Sequence, residues 1–399
     1  MYDRERQKDS VRGLELAEGF FNEEVEPILS SRCPALKYSA ALIGRGSEVL
    51  GLDSEMSTDH HWGPRVMLFL KPEDLQSLWP GARLALSREL PLTYRGYSTD
   101  FSEPDPEDHG TQVLRPLASR PVNHRVEAYS IGGFFAGYLG IDITSDLSAI
   151  DWLTLPHQKL RSIVAGRIFR DDLGLDAVRS RFIWYPNDVW LYILASLWTR
   201  IGQEEHLMGR AGLVGDEAGS AIIGARLARD VMRLAFLMEK QYPPYPKWFG
   251  TAFSQLNCAQ TLNPIIARIL HSSGWQEREQ YLCQAYRILG SMHNSLRITE
   301  YVSPEVIQFF RRPFKIIRGE RYVKAIIHEI SDPEVIPLTT RSLIGSVDLF
   351  SDNTDVLEDV SLHDHIRGLY RQGRISHSKH ALTQIVTLGS GGIERNSGM

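Results

Sequence analysis

Residues 41–70 read ALIGRGSEVLGLDSEMSTDHHWGPRVMLFL: an apolar run, a glycine turn, a polar loop and a second apolar run. This pattern constrains the chain more than any other segment. The runs at 38–43 and 66–70 have the length and bounding residues of buried strands, so chemistry is expected in the loop that joins them. Gly44 and Gly46 can take backbone conformations closed to other residues and let the chain approach a phosphate closely, while the Ser47 hydroxyl and neighbouring N–H groups can donate to its oxygens. A Gly-Ser pair is also common in ordinary turns. Asp59 and His61 follow near the second strand, and an i, i+2 pair on a strand projects from one face, so both side chains are expected to reach one ion. Phosphoryl and nucleotidyl transfer use divalent cations held by oxygen ligands to neutralise the polyphosphate and align the reacting oxygens.

The rest of the chain sorts into two parts. Residues 13–30 have the spacing of an amphipathic helix, and 122–131 read as a further strand. Residues 100–112, DFSEPDPEDHGTQ, are acidic and broken by prolines, which predicts a surface loop. From about residue 146 the apolar spacing turns helical: the run after Pro186, then 216–240, 258–272 and 276–293. The predicted class is α+β, with a mixed-sheet domain over 1–145, a mostly helical domain over 146–385 and a disordered tail over 386–399. The 399 residues are too many for one small core, and the charge of −5 argues against an extended nucleic-acid footprint. Cys33, Cys258 and Cys283 form no CxxC pair, which fits reduced thiols in a cytoplasmic protein. A charged N-terminus and the absence of any bilayer-length apolar run predict neither export nor membrane insertion.

The stretch GRGSEVLGLDSEMSTDHHWGPR resembles the nucleotidyltransferase superfamily, whose pattern is Gly-Ser followed by Asp-x-Asp/Glu and a third carboxylate on a later strand, and within it the DUF4037 proteins. DWLTLPHQKL, YPNDVWLYILASLW, GRAGLVGDEAGS, PYPKWFGTAF and RRPF resemble the same family in order. The resemblance implies a nucleotidyltransferase-type sheet domain followed by a helical domain. It implies that Gly46 and Ser47 form the phosphate turn and that Asp59 is the first metal carboxylate. Glu127, in HRVEAYSI, matches the third. The second position departs from the pattern. His61 stands where a carboxylate is expected, and imidazole suits zinc or manganese better than Mg²⁺. Two arrangements stay open: metal held by Asp59 and Glu127 with Asp53 or Glu55, or a site whose catalysis is weakened or lost.

Other candidates lie in the helical part. Arg226, Arg229 and Arg233 share a helix face, either as a basic stripe toward a nucleotide or as a solvated face paired with acids such as Asp230 or Glu239. Lys247, in YPPYPKWF, sits in a proline-stiffened aromatic turn from which an amine could reach a phosphate. Glu217 reads either as a helix-terminal acid or as a general base for an acceptor hydroxyl. Trp184, Trp190 and Trp198 read as core, and His60 as a packed histidine on the opposite strand face from His61. No GxxxxGK[ST], protein-kinase, GxSxG or HExxH signature occurs. The expected function is metal-dependent transfer of a nucleoside monophosphate, AMP from ATP with Mg²⁺ or Mn²⁺, to a hydroxyl or amine of a small-molecule acceptor. Protein or tRNA acceptors stay open. The alternative is a catalytically degenerate nucleotide-binding regulator or sensor.

Overall fold

The computed structural model describes residues 12–58, 61–108 and 110–371, without the side chains of Glu55 and Thr58. Asp59, His60 and the tail expected at 386–399 lie outside the described residues.

The chain opens with α1 (Gly13–Phe20), a π-helical turn (Phe21–Val25) and α2 (Glu26–Arg32), so the single helix expected over 13–30 is broken by a wide turn. Strands β1 (Tyr38–Leu42) and β2 (Arg65–Leu70) follow, then α3 (Pro72–Ser77) and α4 (Trp79–Glu89). A small hairpin, β3 (Thr93–Tyr94) and β4 (Tyr97–Ser98), leads into the acidic loop. That loop is closed by the isolated bridges Phe101 to Leu114 and Asp105 to Thr111 and by backbone hydrogen bonds such as Ser102 N–H to the Val113 carbonyl. Next come β5 (Arg125–Tyr129) and α5 (Ile131–Leu139), then α6 (Ala149–Thr154), α7 (His157–Ala165), β6 (Arg167–Asp171) and α8 (Leu175–Ser180).

The main sheet has the order β5-β2-β1-β6, with β1 antiparallel to both neighbours and β2 parallel to β5. Its edge strand β6 lies at 167–171, beyond the boundary expected at 145, so the helical part completes the sheet. Every residue of β1 and β2 is buried because both sheet faces are covered, which is why these strands read as unbroken apolar runs. Ala40, Val66, Leu68 and Val126 pack on Phe20, Phe21 and Leu29 of the N-terminal helices. Ala41, Met67 and Phe69 face the other way, into one core shared with the helical part.

That part is built on α9 (Asn187–Glu204), buried on nearly every side, with α10 (Leu207–Leu213), α11 (Glu217–Met238), α12 (Pro246–Phe253), α13 (Ala259–His271) and α14 (Trp275–Leu296) around it. A second hairpin, β7 (Ile307–Gln308) and β8 (Lys315–Ile316), precedes α15 (Gly319–His328). Trp190 and Trp198 are core residues as expected, Trp198 stacking on Tyr322 with ring centres 4.0 Å apart. The mixed α+β class stands, with 55% of the structure helical. Among the described residues no helix is long and apolar enough to cross a membrane, and all three cysteines are free.

Glu205, just beyond α9, accepts the Ile317 N–H at 2.6 Å while nearly buried. Burial pushes its carboxyl from the usual 4.5 up to about 8. A folded-state pKa above the unfolded one means that the unfolded chain releases its proton first, so stability falls as pH rises from about 4.5 to 8. The slope from this group is at most about 1.4 kcal/mol per pH unit. Urea titrations of Glu205→Gln should lack that component, and an unchanged slope would refute it.

Candidate functional site

The glycine turn hangs from the end of β1. Gly44 has φ +81° and its N–H donates to the Ser162 carbonyl of α7 at 3.0 Å; Gly46 has φ +132°, a region that favours glycine. A Cβ at Gly46 would also overlap the Arg65 guanidinium and the Glu48 carboxylate. These two residues, 7% and 4% exposed, form the floor of the turn. Arg65 Nε donates to Glu48 Oε1 at 2.8 Å and Nη2 to the Arg45 carbonyl at 2.5 Å. The turn is therefore held by a buried ion pair anchored at the first residue of β2.

Ser47 faces the helical part. Its Oγ lies 3.0 Å from the Tyr245 hydroxyl and accepts from Trp248 Nε1 at 3.1 Å. The exposed Lys247 places its ammonium 4.9 Å from the centre of the Trp248 ring. Gly46, Ser47 and Lys247 are thus brought to one place, across the junction of sheet and α12.

Around His61 the structure corrects the expected geometry. The Gly63-Pro64 step delays β2 until Arg65, and His61 sits in a bend at φ +55°, so no strand face is shared by positions 59 and 61. Glu127 lies on β5 opposite Met67 of β2. Arg125, Glu127 and Tyr129 alternate on one strand face and bind one another. Arg125 donates to Glu127 Oε1 from Nε at 3.1 Å and Nη2 at 2.7 Å, and Tyr129 donates to Oε2 at 2.9 Å. Arg125 Nη1 lies 2.7 Å from His61 Nδ1. His61 and Glu127 are gathered, with a guanidinium between them. Burial works to raise the Glu127 carboxyl, but the Arg125 charge and the Tyr129 hydroxyl outweigh it and hold the pKa below the usual range.

A divalent cation at Glu127 would share the carboxylate with the Arg125 guanidinium on Oε1 and the Tyr129 hydroxyl on Oε2, and would sit beside a fixed positive charge. Asp53, one of the alternative ligands, is also engaged: its Oδ2 accepts the Gly13 N–H at 2.8 Å, at the start of α1, and Trp62 Nε1 at 3.1 Å. Among the described residues no three His, Cys, Asp or Glu side chains group as a metal site. The described side chains do not fit a divalent-metal centre.

Sequence reasoning missed Arg161. It follows directly on DWLTLPHQKL, and its neighbour Ser162 supplies the carbonyl that holds Gly44. Its Nη1 donates to Gln241 Oε1 at 3.3 Å, while Nε is buried with no partner among the described residues. No described carboxylate pairs with it, and burial alone lowers its pKa. On the helix PHQKLRSI this arginine reads as ordinary amphipathic decoration, and only tertiary contacts show it to be uncompensated.

The remaining candidates are placed elsewhere. Arg226 pairs with Glu204, and Arg229 and Arg233 pair with Asp352 at 2.8 and 3.2 Å, so acids neutralise the stripe. Glu217 begins α11 beside the Asp216 cap and accepts the Trp275 N–H at 3.3 Å and Arg278 Nη1 at 3.5 Å. The 22 residues of α11 separate it by about 33 Å from the helix end that leads to Tyr245. The structure does not bring Glu217 to Ser47.

Residues 152–249 match the model of a family described as a domain of unknown function, DUF4037. The DUF4037 segment carries Arg161, Tyr245, Lys247 and Trp248, along with β6. Gly46, Ser47, His61 and Glu127 lie outside it. Nothing among curated proteins or among solved structures matches the chain.

Proposed function

We propose that this chain binds a nucleotide through its phosphates, between the Ser47 turn and the start of α12, and that it does so without a divalent metal: the catalytically degenerate branch of the nucleotidyltransferase superfamily. The observation that carries this reading is Arg161. Arg161 is half-buried, its Nε has no partner and its charge no carboxylate among the described residues, an arrangement that costs free energy when a cation is desolvated, and it adjoins the residue whose carbonyl holds a glycine turn. A phosphate would offset that cost while accepting from the turn's N–H groups, as oriented backbone donors do for anions, with Lys247 at the rim. The Arg125 guanidinium between His61 and Glu127 supports binding over metal-dependent transfer, because it supplies positive charge where the superfamily pattern puts a cation.

The second reading is metal-dependent transfer of AMP from ATP to a small-molecule hydroxyl or amine. It is favoured by the position of Glu127 on the strand beside β2, where the pattern has its third carboxylate. It requires Asp59 and a cation held beside the Arg125 guanidinium.

Thermal shift separates them, since a ligand selective for the folded state raises the melting temperature by mass action. ATP, GTP, CTP and UTP are each tested with Mg²⁺, Mn²⁺ or EDTA. The expected result is a rise of equal size with and without metal, abolished in Arg161→Gln. That variant should melt no lower than the parent without ligand, because it removes an unpaired charge. A rise seen only with metal and lost in Asp59→Ala, together with pyrophosphate release, would establish transfer instead. No rise with any nucleotide would reject both.

A further inference from the structure

The hairpin β7–β8 carries the segment FFRRPF at its tip, residues 309–314. Its underside is fixed. Phe314 is buried against Trp275, with ring centres 5.9 Å apart, and presses on Gly209 of α10, where a Cβ would lie only 2.8 Å from its ring. Phe309 meets the His206 ring edge-on at 4.5 Å. The loop is closed by the Phe309 N–H on the Phe314 carbonyl at 2.7 Å and by Gln308 Nε2 on the Arg312 carbonyl at 2.9 Å.

On this fixed base one residue is turned outward. Phe310 is 82% exposed and holds φ +55°, a conformation that bulky side chains rarely adopt. It thus combines backbone strain with forfeited burial, a pairing that points from structure to function. Arg311 and Arg312 beside it are exposed and pair with no acid among the described residues, nor does Arg210 on α10, while Lys315 at the foot of the hairpin lies by Glu279, which accepts its backbone N–H at 3.0 Å. Arg312 and Arg210 lie on the same side. After burial, it is their charges that hold the His206 imidazole below its usual value.

We propose that this tip is a docking surface for single-stranded nucleic acid, with Phe310 stacking on a base and Arg311 and Arg312 neutralising the flanking phosphates. An exposed aromatic beside guanidiniums that pair with no described acid is the combination that single strands use, because every base has a face to stack and every linkage a charge. The chain's net charge of −5 leaves this cluster a local exception rather than part of a basic surface, which limits the footprint to a few nucleotides.

The test is fluorescence anisotropy of a labelled oligouridylate of about 12 nucleotides, titrated with the full chain from low to moderate salt. Binding is expected, with log K falling against log salt at a slope of about −1.4, the value for two neutralised phosphates on a single strand. Phe310→Gly relaxes the strained backbone and removes the ring, so it should fold as the parent does and bind about tenfold more weakly. Arg311→Gln with Arg312→Gln should remove the salt dependence. Arg161→Gln should bind the strand as the parent does, which separates this surface from the nucleotide site. Three results would overturn the proposal: no binding at low salt, undiminished binding by Phe310→Gly, or equal affinity for a polyglutamate peptide, which would make the tip a contact for acidic protein segments.

Discussion

Glu48→Ala is expected to cost about 3–5 kcal/mol of folding free energy, the range for removing one partner of a buried ion pair. Arg65 would be left 7% exposed with the Arg45 carbonyl as its one acceptor among the described residues. The loss should therefore exceed that of a surface ion pair such as Arg32–Glu89, where about 0–1 kcal/mol is usual. Urea denaturation of the single variant and of Glu48→Leu with Arg65→Met tells the two sources of loss apart. The double variant replaces both charges with apolar groups and should recover most of the stability. It should not recover nucleotide binding, because the turn that carries Ser47 loses its floor. A single-variant loss below about 1 kcal/mol would show that the pair is hydrated and does not hold the turn.

Gly166→Ala is the second large effect. Gly166 has an ordinary extended backbone, with φ −68° and ψ −172°, so conformational freedom is not at issue. The constraint is space: a Cβ would overlap the Leu42 carbonyl and lie 2.9 Å from the Ile43 Cα. Those are backbone atoms of the segment that leaves β1 for the glycine turn, and they cannot yield without parting β1 from β6. Overpacking of about 3 kcal/mol or more is expected, with a lower melting temperature and weakened nucleotide binding together. Gly81→Ala is the control. It lies in α4 with nothing within 4 Å of a new Cβ and should stabilise by about 0.5–1 kcal/mol. Equal effects at both positions would refute the steric account.

The helical half was largely legible from apolar spacing. Residues 187–204, 217–238, 259–271 and 275–296 are helices where the period predicts them, because each presents a long stripe to one core. The strands β1 and β2 were legible as buried runs for the same reason. β6 was not, since RIFRD is an edge strand with charged residues on its open side, and nothing in it alternates cleanly. The pair α3 and α4 was missed because Pro72 and Pro80 punctuate the stretch. Both prolines occupy first-turn positions, which helices tolerate.

At the site, residue types were legible and partnerships were not. Gly44 and Gly46 announce positive φ, and Lys247 announces an amine near an aromatic turn. Arg125 is an unremarked neighbour of Glu127 in sequence. It takes its place only because the bend before β2 brings His61, 64 residues away, to its guanidinium. Arg161 likewise becomes conspicuous because no described carboxylate pairs with it, and such a lack has no sequence signature.

The edge strand sets a schedule for how this protein is made. Ser39 on β1 and Asp171 at the end of β6 are hydrogen-bonded across 132 residues of chain, so the sheet cannot close until the first helices of the DUF4037 segment have been synthesised. At roughly 5–20 residues per second, that leaves β1 without one neighbour for roughly 7–26 s on the ribosome. During this interval the apolar run of β1 has an open side, and closing so long a loop is slow in its own right. The N-terminal third is for this reason not a unit that folds first and waits. Neither is the DUF4037 segment, whose β6 has no sheet to join when the chain before it is removed. A fragment that begins at residue 152 would carry β6 unpaired, one that ends there would leave one edge of β1 open, and the glycine turn owes its shape to residues that leave the ribosome after it.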